Sequence, residues 1–350
     1  MKIAIDVSPL ESGHKIRGVG FYLTYLKRAL VTYYPENTYQ FFIKKEDISD
    51  SVDIVHYPYF DPFFITLPLT KKYKTVVTVH DLTPIVFPTH FPAGIKGNLQ
   101  WQMQRFHLQK VDGILTDSEA SKRDIVKIVG VPEGKVDVSY LAAGEEFVRL
   151  KTEDLRLKNM KRRYNLPEEF ILYVGDVTWN KNVPRLIKAA LKVSVPLVMV
   201  GKSLISKDFD RNNKWNSDLV EIQKLAEDNK SIIRLGFIPT EDLVALYNLA
   251  TVFVFPSVYE GFGLPIVEAM QSGCPVIISR EGCMPEVGGD AVEYFDGYDI
   301  QSLEKVIEKV LNSKQLQKEL SKKGFEQSKK FSWQKTAEKT IEAYKKALEA

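Results

Sequence analysis

Short apolar runs of five to seven residues alternate with helical segments from one end of this chain to the other. KIAIDV (2–7), VDIVHY (52–57), TVVTVHD (75–81), GILTDS (113–118) and KVDVSY (135–140) form a first series. FILYVGD (170–176), PLVMVG (196–201), IIRLGF (232–237), TVFVFPS (251–257) and PVIIS (275–279) form a second. Runs this short and this apolar suit strands buried on both faces, and strands separated by helices pair in parallel. Helical stretches such as GFYLTYLKRAL (20–30) and the segment 92–110 lie between them. Two such series predict an α/β chain of two doubly wound domains, for which 350 residues suffice. The charged, strand-free stretch 147–170 separates them. The reading is therefore a first domain over 1–150, a linker over 151–168 and a second domain over 169–330.

Charge and cysteine content exclude several classes. The 48 basic and 45 acidic residues leave a formal charge of +3, too balanced to imply nucleic-acid binding. Neither a secretory leader nor an apolar run of about 18 residues is visible, so a cytoplasmic chain without a membrane span is expected. Two cysteines, Cys274 and Cys283, suit a reducing compartment and no disulfide framework.

In doubly wound domains ligands bind beyond the carboxyl ends of strands, where the strand order reverses. Five places carry glycines or polar residues just past a predicted strand. Gly18 and Gly20 precede a helix after the first strand, where backbone amides can approach a phosphate or sugar. His80, with Asp81, ends TVVTVHD and can hydrogen-bond a hydroxyl or pass a proton. His56 stands at an equivalent strand end. Past Gly175, Lys181 and Asn182 lead into a helix, and Lys181 suits an anion there. Lys202, after PLVMVG, is a second cation for the same anion. In PSVYEGFGLPIVEAMQSGCPVIIS (256–279), Pro265 fits a first helical turn, so Gly261, Phe262, Gly263 and Leu264 surround the helix entrance. Glu260 stands before the turn and Glu268 one turn inside. Carboxylates accept hydrogen bonds from hydroxyls and amides hold negative oxygens, so a sugar nucleotide would use every part of this group. Last, Gly282, Cys283 and Met284 follow PVIIS, with amides that could cover phosphates.

At these residues the chain resembles the retaining, GT-B-fold glycosyltransferases of family 4, over nearly its whole length. RGVGFY, VHDLTPIVFP, TDSEASKRDI, GFIPTEDLVALYNLA, the E-x7-E of Glu260 and Glu268, and FSWQKTAEKTIEAY occur in the family's order. The resemblance implies two Rossmann-like domains facing a cleft, the first binding acceptor and the second a nucleotide-diphosphate sugar. Residues 331–350 would cross back to the first domain. Glu260 would contact donor-sugar hydroxyls, Glu268 the ribose, and Lys181 with the 261–264 amides the diphosphate. Phe237 and Ile238 would flank the base, while His80 and the Gly18–Gly20 loop would reach in from the first domain. The implied activity moves a hexose from GDP-mannose or a UDP-sugar to a sugar, glycan or lipid-linked hydroxyl. Epimerases and glycan phosphorylases share the architecture, and a non-catalytic sugar-nucleotide binder would keep the same second-domain motifs. No cofactor or metal is expected. Asp208-Phe209-Asp210 is a D-x-D, but it lies in the polar stretch KDFDRNNKWNSD. The chain departs from its relatives at Asp176 and Asn180, where arginines are common, so its phosphate site has less positive charge. The aromatic and basic segment 58–74 suits the lining of an acceptor pocket, peripheral contact with a membrane face, or an ordinary packed loop.

Overall fold

The structure, a computed structural model, describes residues 1–350 apart from Arg17, Leu69 and Asp228, and only the backbone of His14 and Ile16. Arg17 of RGVGFY and Leu69 of the 58–74 segment therefore lie outside the described residues. The chain forms two compact units, residues 1–142 with 331–350, and residues 143–330.

The first unit holds β1 (Lys2–Asp6), β2 (Thr38–Phe42), β3 (Ile54–Tyr57), β4 (Lys74–Thr78), β5 (Gly113–Thr116) and β6 (Val136–Val138). They pair in parallel in the order β2-β1-β3-β4-β5-β6. The second unit holds β7 (Ile171–Val174), β8 (Leu197–Val200), β9 (Ile232–Gly236), β10 (Val252–Phe255), β11 (Val276–Ser279) and β12 (Glu293–Phe295). Its order is β12-β11-β10-β7-β8-β9, again parallel throughout. Every residue of β3, β5, β7, β8, β10 and β11 is buried, which is why these runs carry no polar alternation. The order reverses between β1 and β3 in one sheet and between β7 and β10 in the other.

Two strands escape the sequence reading, and both are sheet edges. TYQFF of β2 buries only Phe42, and the three-residue β12 buries only Phe295. An edge strand has one covered side, so its apolar signal is weak.

The expected linker over 151–168 is corrected by a helix, Leu155–Arg163, that belongs to the second unit. Asp154 caps it by accepting from the Arg156 amide, and Leu157 and Met160 are buried. Arg163 and the Tyr164 hydroxyl both bond Asp242 Oδ2 at 2.9 Å. The stretch looks like a linker because only two of its nine helical residues are buried; the rest are five basic residues, Asn159 and the exposed Leu155. The division between units falls at Ala142 and Ala143 instead.

The last helix, Trp333–Glu349, is part of the first unit. Ser332 caps it, Trp333 stacks on Tyr25 at 5.1 Å, and the Thr336 hydroxyl donates to the Tyr140 carbonyl at 2.7 Å. Tyr344 is fully buried, with its hydroxyl 2.7 Å from His56 Nδ1.

Candidate active site

At the β7–β10 switch point the two strands run side by side, Val252 beside Ile171 and Phe253 beside Leu172. The chain therefore leaves both at the same sheet edge. Two glycines make the first exit tight. A Cβ on Gly201, past β8, would lie 2.1 Å from the Gly175 carbonyl oxygen, and one on Gly175 would lie 2.7 Å from the Tyr173 hydroxyl. No side chain fits either position.

From β7 the chain passes through a 3-10 turn, Trp179–Lys181, into the helix Val183–Lys192. From β10 it passes through Pro256–Gly263 into the helix Leu264–Gln271. Across these two exits stand Lys181 Nζ and Glu260 Oε1, 2.5 Å apart, with side chains 22% and 12% exposed. Among the described residues Oε1 has no partner with hydrogen-bond geometry, so the contact is ionic rather than directional. The ammonium also stands 5.6 Å from the Phe255 ring centroid. The structure thus joins the two residues assigned to diphosphate and donor sugar, and each neutralises the other. A charge pair this sheltered is kept in register by its surroundings, because stray solvent does not screen it.

Asparagines flanking Lys181 supply that register, and the sequence reading gave them no such part. Asn180 is buried, donates to the Tyr259 carbonyl at 2.8 Å, and accepts from the Val258 amide on its own carbonyl at 2.8 Å. Asn182 sits at φ +57° and donates to the carbonyls of Pro256 (3.0 Å) and Gly297 (2.8 Å). Arg185 donates to the Asn182 side-chain Oδ1 and, at 2.9 Å, to the Gly297 carbonyl. The signal was present as N-K-N, polar residues on both sides of a cation where a solvated loop would need none. Asn180 therefore has a structural use of its own: its buried amide holds the other exit loop. Asp176 has a comparable structural use, since its Oδ1 accepts from the Ser203 hydroxyl at 3.1 Å and amide at 3.3 Å.

Gly261, Phe262 and Gly263 are buried around the helix entrance, with Leu264 half-buried as the first helical residue. Gly263 sits at φ +91°, and a Cβ there would meet Ile266 at 2.9 Å. Pro265 lies in the first turn. The Cys283 sulfur stands within hydrogen-bond reach of the carbonyls of Glu260 (3.2 Å) and Phe262 (3.3 Å), so it packs against this turn. The expectation that Met284 offers its amide to phosphate is corrected: that N–H bonds the Glu281 carbonyl at 3.1 Å.

Glu268 is buried one turn into the helix and accepts from the Tyr247 hydroxyl at 3.0 Å through Oε2. Burial pushes its carboxyl up to about 7; the Tyr247 hydrogen bond opposes the shift and the Glu146 charge adds to it. Lys202 is exposed at the start of a 3-10 turn after β8. Past β9, Phe237 is exposed and Ile238 buried.

In the first unit His80 follows β4. Its Nδ1 stands 2.7 Å from Asp117 Oδ2, and its buried Nε2 has no partner of full hydrogen-bond geometry among the described residues. The Tyr22 ring meets the imidazole edge-on at 4.9 Å. Burial lowers the imidazole's proton affinity, but the Asp117 charge and hydrogen bond outweigh it, aided by Asp81 and the Pro58 backbone, and the net shift is upward. In Asp117→Asn the burial effect is left to dominate, so His80 should titrate below its ordinary 6.5. Imidazole carbon shifts followed by NMR through a pH series measure this, and an unchanged titration would mean that Asp117 does not hold the proton. Asp117, within TDSEASKRDI, is a second residue the sequence reading did not single out; its distance along the chain from His80 hid the pair.

The weaker argument for His56 is corrected. It lies inside β3 with both ring nitrogens engaged, Nε2 at 2.8 Å from Thr78 Oγ1 and Nδ1 with Tyr344. Burial holds it near pKa 3, so it is a neutral packing residue. Gly18 opens the helix Gly18–Tyr33 in open space, and Gly20 is buried in it. Among the described residues no three His, Cys, Asp or Glu side chains cluster to hold a metal ion.

Comparison with known proteins decides the family. The model for glycosyl transferases group 1 matches residues 157–327, and that for Glycosyltransferase Family 4 matches residues 6–142. O-antigen chain mannosyltransferase B of Escherichia coli is 30% identical over 304 residues, covering 84% of this chain and 75% of that protein. The chain belongs to the glycosyl transferases group 1. Serotype-specific mannosyltransferase WbdA of Escherichia coli is 31% identical over 302 residues, or 83% of this chain. The match spans about a third (36%) of WbdA's length. Anabaena HepE, solved in complex with UDP-glucose, superposes with a TM-score of 0.75 at 16% identity, covering 98% of each chain. That likeness is one of fold, and the two parallel six-stranded sheets of the transferase are the GT-B architecture.

Proposed function

We propose that this chain transfers a hexose, with mannose first among the candidates, from a nucleotide-diphosphate sugar to a hydroxyl of a sugar, glycan or lipid-linked acceptor, with retention at the anomeric carbon. The observation that carries this reading is the sheltered Lys181–Glu260 pair at the β7–β10 switch point. An incoming diphosphate offers the ammonium more negative charge than one carboxylate does. Lys181 then turns to the phosphates, and Glu260 is released to accept from donor-sugar hydroxyls. As the glycosidic bond breaks, negative charge grows on the leaving phosphate oxygen, and Lys181 with the amides of the 261–264 turn stabilises it. Glu268 takes the ribose hydroxyls, and Phe237 and Ile238 flank the base. In the first unit His80 is placed to hydrogen-bond a sugar hydroxyl through Nε2, and the helix Gly18–Tyr33 reaches its ring through Tyr22. Lys202 adds positive charge toward the phosphates, and no protein-bound metal takes part. Mannose is favoured because the E. coli relatives are named mannosyltransferases; the UDP-glucose in the HepE structure keeps UDP-sugars in view.

Transfer from GDP-mannose and UDP-glucose to a panel of mannoside acceptors tests the reading. The expected product keeps the donor's α configuration, read from the one-bond C–H coupling at the anomeric carbon. A β-linked product overturns retention, and conversion of donor to an epimer without acceptor would replace transfer by epimerisation.

A further inference from the structure

Tyr344, His56, Thr78 and Tyr22, none more than 2% exposed, form a line of buried polar groups that ends at His80. The Tyr344 hydroxyl stands 2.7 Å from His56 Nδ1, and His56 Nε2 stands 2.8 Å from Thr78 Oγ1. Thr78 Oγ1 stands in turn 2.9 Å from the Tyr22 hydroxyl. The line runs from the last helix through β3 and β4 to the helix Gly18–Tyr33, all within the first unit. At its end the Tyr22 ring stands edge-on to the His80 imidazole, with 88° between the planes, and 6.4 Å from the Trp333 ring.

Every link is neutral. Burial holds His56 near pKa 3, and charge on His80 opposes its protonation further. Burial pushes the Tyr344 hydroxyl well above its ordinary value. It pushes that of Tyr22 up as well, against the Thr78 hydrogen bond and with the Asp117 charge adding to it. A neutral imidazole donates from one ring nitrogen and accepts at the other, and a threonine hydroxyl holds one proton. The line therefore runs in a single sense. With Tyr344 donating to Nδ1, Nε2–H donates to Thr78 and Thr78 to Tyr22, which leaves the Tyr22 proton to face the Asp117 charge. The opposite sense would turn lone pairs toward that charge. Buried hydrogen bonds linked in this way polarise one another, so loss of one member weakens the rest.

We propose that Tyr22 is a positioning residue for His80 and is itself held from the last helix. Tyr344, His56 and Thr78 fix its hydroxyl, and its ring fixes the plane in which the imidazole presents Nε2. Asp117 engages Nδ1 and so decides which nitrogen is left; Tyr22 decides how the ring stands. This role rests on the transfer reading, in which Nε2 meets a sugar hydroxyl.

Tyr344→Phe removes the hydroxyl at the far end of the line and keeps the ring. Turnover should fall about tenfold, short of the ~10²-fold that an ångström of misplacement costs. In a His80→Ala background the same change should lower turnover no further, because residues that act through one another are not additive. The His80 imidazole signals, followed by NMR without any substrate, should shift in Tyr344→Phe. A wild type that transfers nothing therefore faults the transfer reading and leaves this measurement standing. Tyr22→Phe, which frees the ring from Thr78, should reproduce both effects and carries the test if Tyr344→Phe does not fold. His80 signals that stay in place, or a loss of turnover that persists undiminished in the His80→Ala background, overturn the proposal.

Discussion

Lys181→Ala should lower turnover about 10²–10³-fold, equivalent to ~2.7–4 kcal/mol of transition-state stabilisation. The helix entrance beside it cannot supply that amount. A helix N-terminus offers an anion roughly 0.3–1 kcal/mol when exposed and about 2 when partly buried. The variant should also lose stability, because Glu260, only 12% exposed, is left charged and unpaired. Breaking a buried pair costs about 3–5 kcal/mol, and the residual exposure of Lys181 places this case toward the lower end. Lys181→Ala/Glu260→Gln separates the two effects: removing the orphaned charge should restore most of the melting temperature while turnover stays low. Steady-state rates and thermal melts on the three proteins read this directly. Full turnover in Lys181→Ala would remove the lysine from the phosphate site.

Glu268→Gln should raise stability at pH 8 and leave it unchanged near pH 4. In the folded chain burial lifts the Glu268 carboxyl from its ordinary 4.5 to about 7. Between those values the native state keeps a proton that the unfolded state has lost, so the glutamate's contribution falls as pH rises through the window. Above about 7 both states are ionised, and the native state carries a buried charge. A shift of this size corresponds to on the order of 3 kcal/mol, which glutamine, neutral at every pH, does not incur. Melting temperatures of wild type and variant should coincide at low pH and separate from pH 5 to 8. Parallel curves would mean that Glu268 ionises in the folded state as freely as in the unfolded one. The variant should also bind nucleotide more weakly, since an amide presents one acceptor oxygen where the carboxylate presents two.

The sequence was legible where one signal sufficed. Ten of the twelve strands announced themselves as apolar runs, and six of these are buried at every residue, which leaves no alternation to confuse. The two missed strands, β2 and β12, bury one residue each and carry almost no such signal. The stretch 260–268 and its two glutamates were visible because glycine, proline and carboxylate within one short stretch have few structural uses. What stayed hidden was pairing across the chain. Lys181 and Glu260 were each readable alone, but nothing in either segment says that their charges meet. Asn180, Asn182 and Asp117 were hidden for the same reason, since their partners Tyr259, Gly297 and His80 lie 79, 115 and 37 residues away. Leu155–Arg163 was misread as a linker because its two buried side chains gave too little apolar weight against seven solvated residues.

The central claim is that the β7–β10 switch point receives a nucleotide diphosphate without a protein-bound metal. A thermal-shift panel of GDP, UDP and ADP, each with and without EDTA, tests it most directly. A nucleotide at 100 times its dissociation constant stabilises its target by about 2.7 kcal/mol. The account predicts that one base raises the melting temperature, that EDTA leaves the rise intact, and that Lys181→Ala abolishes it. A rise that EDTA removes would contradict the metal-free lysine site, and no rise with any of the three nucleotides would contradict the donor site itself.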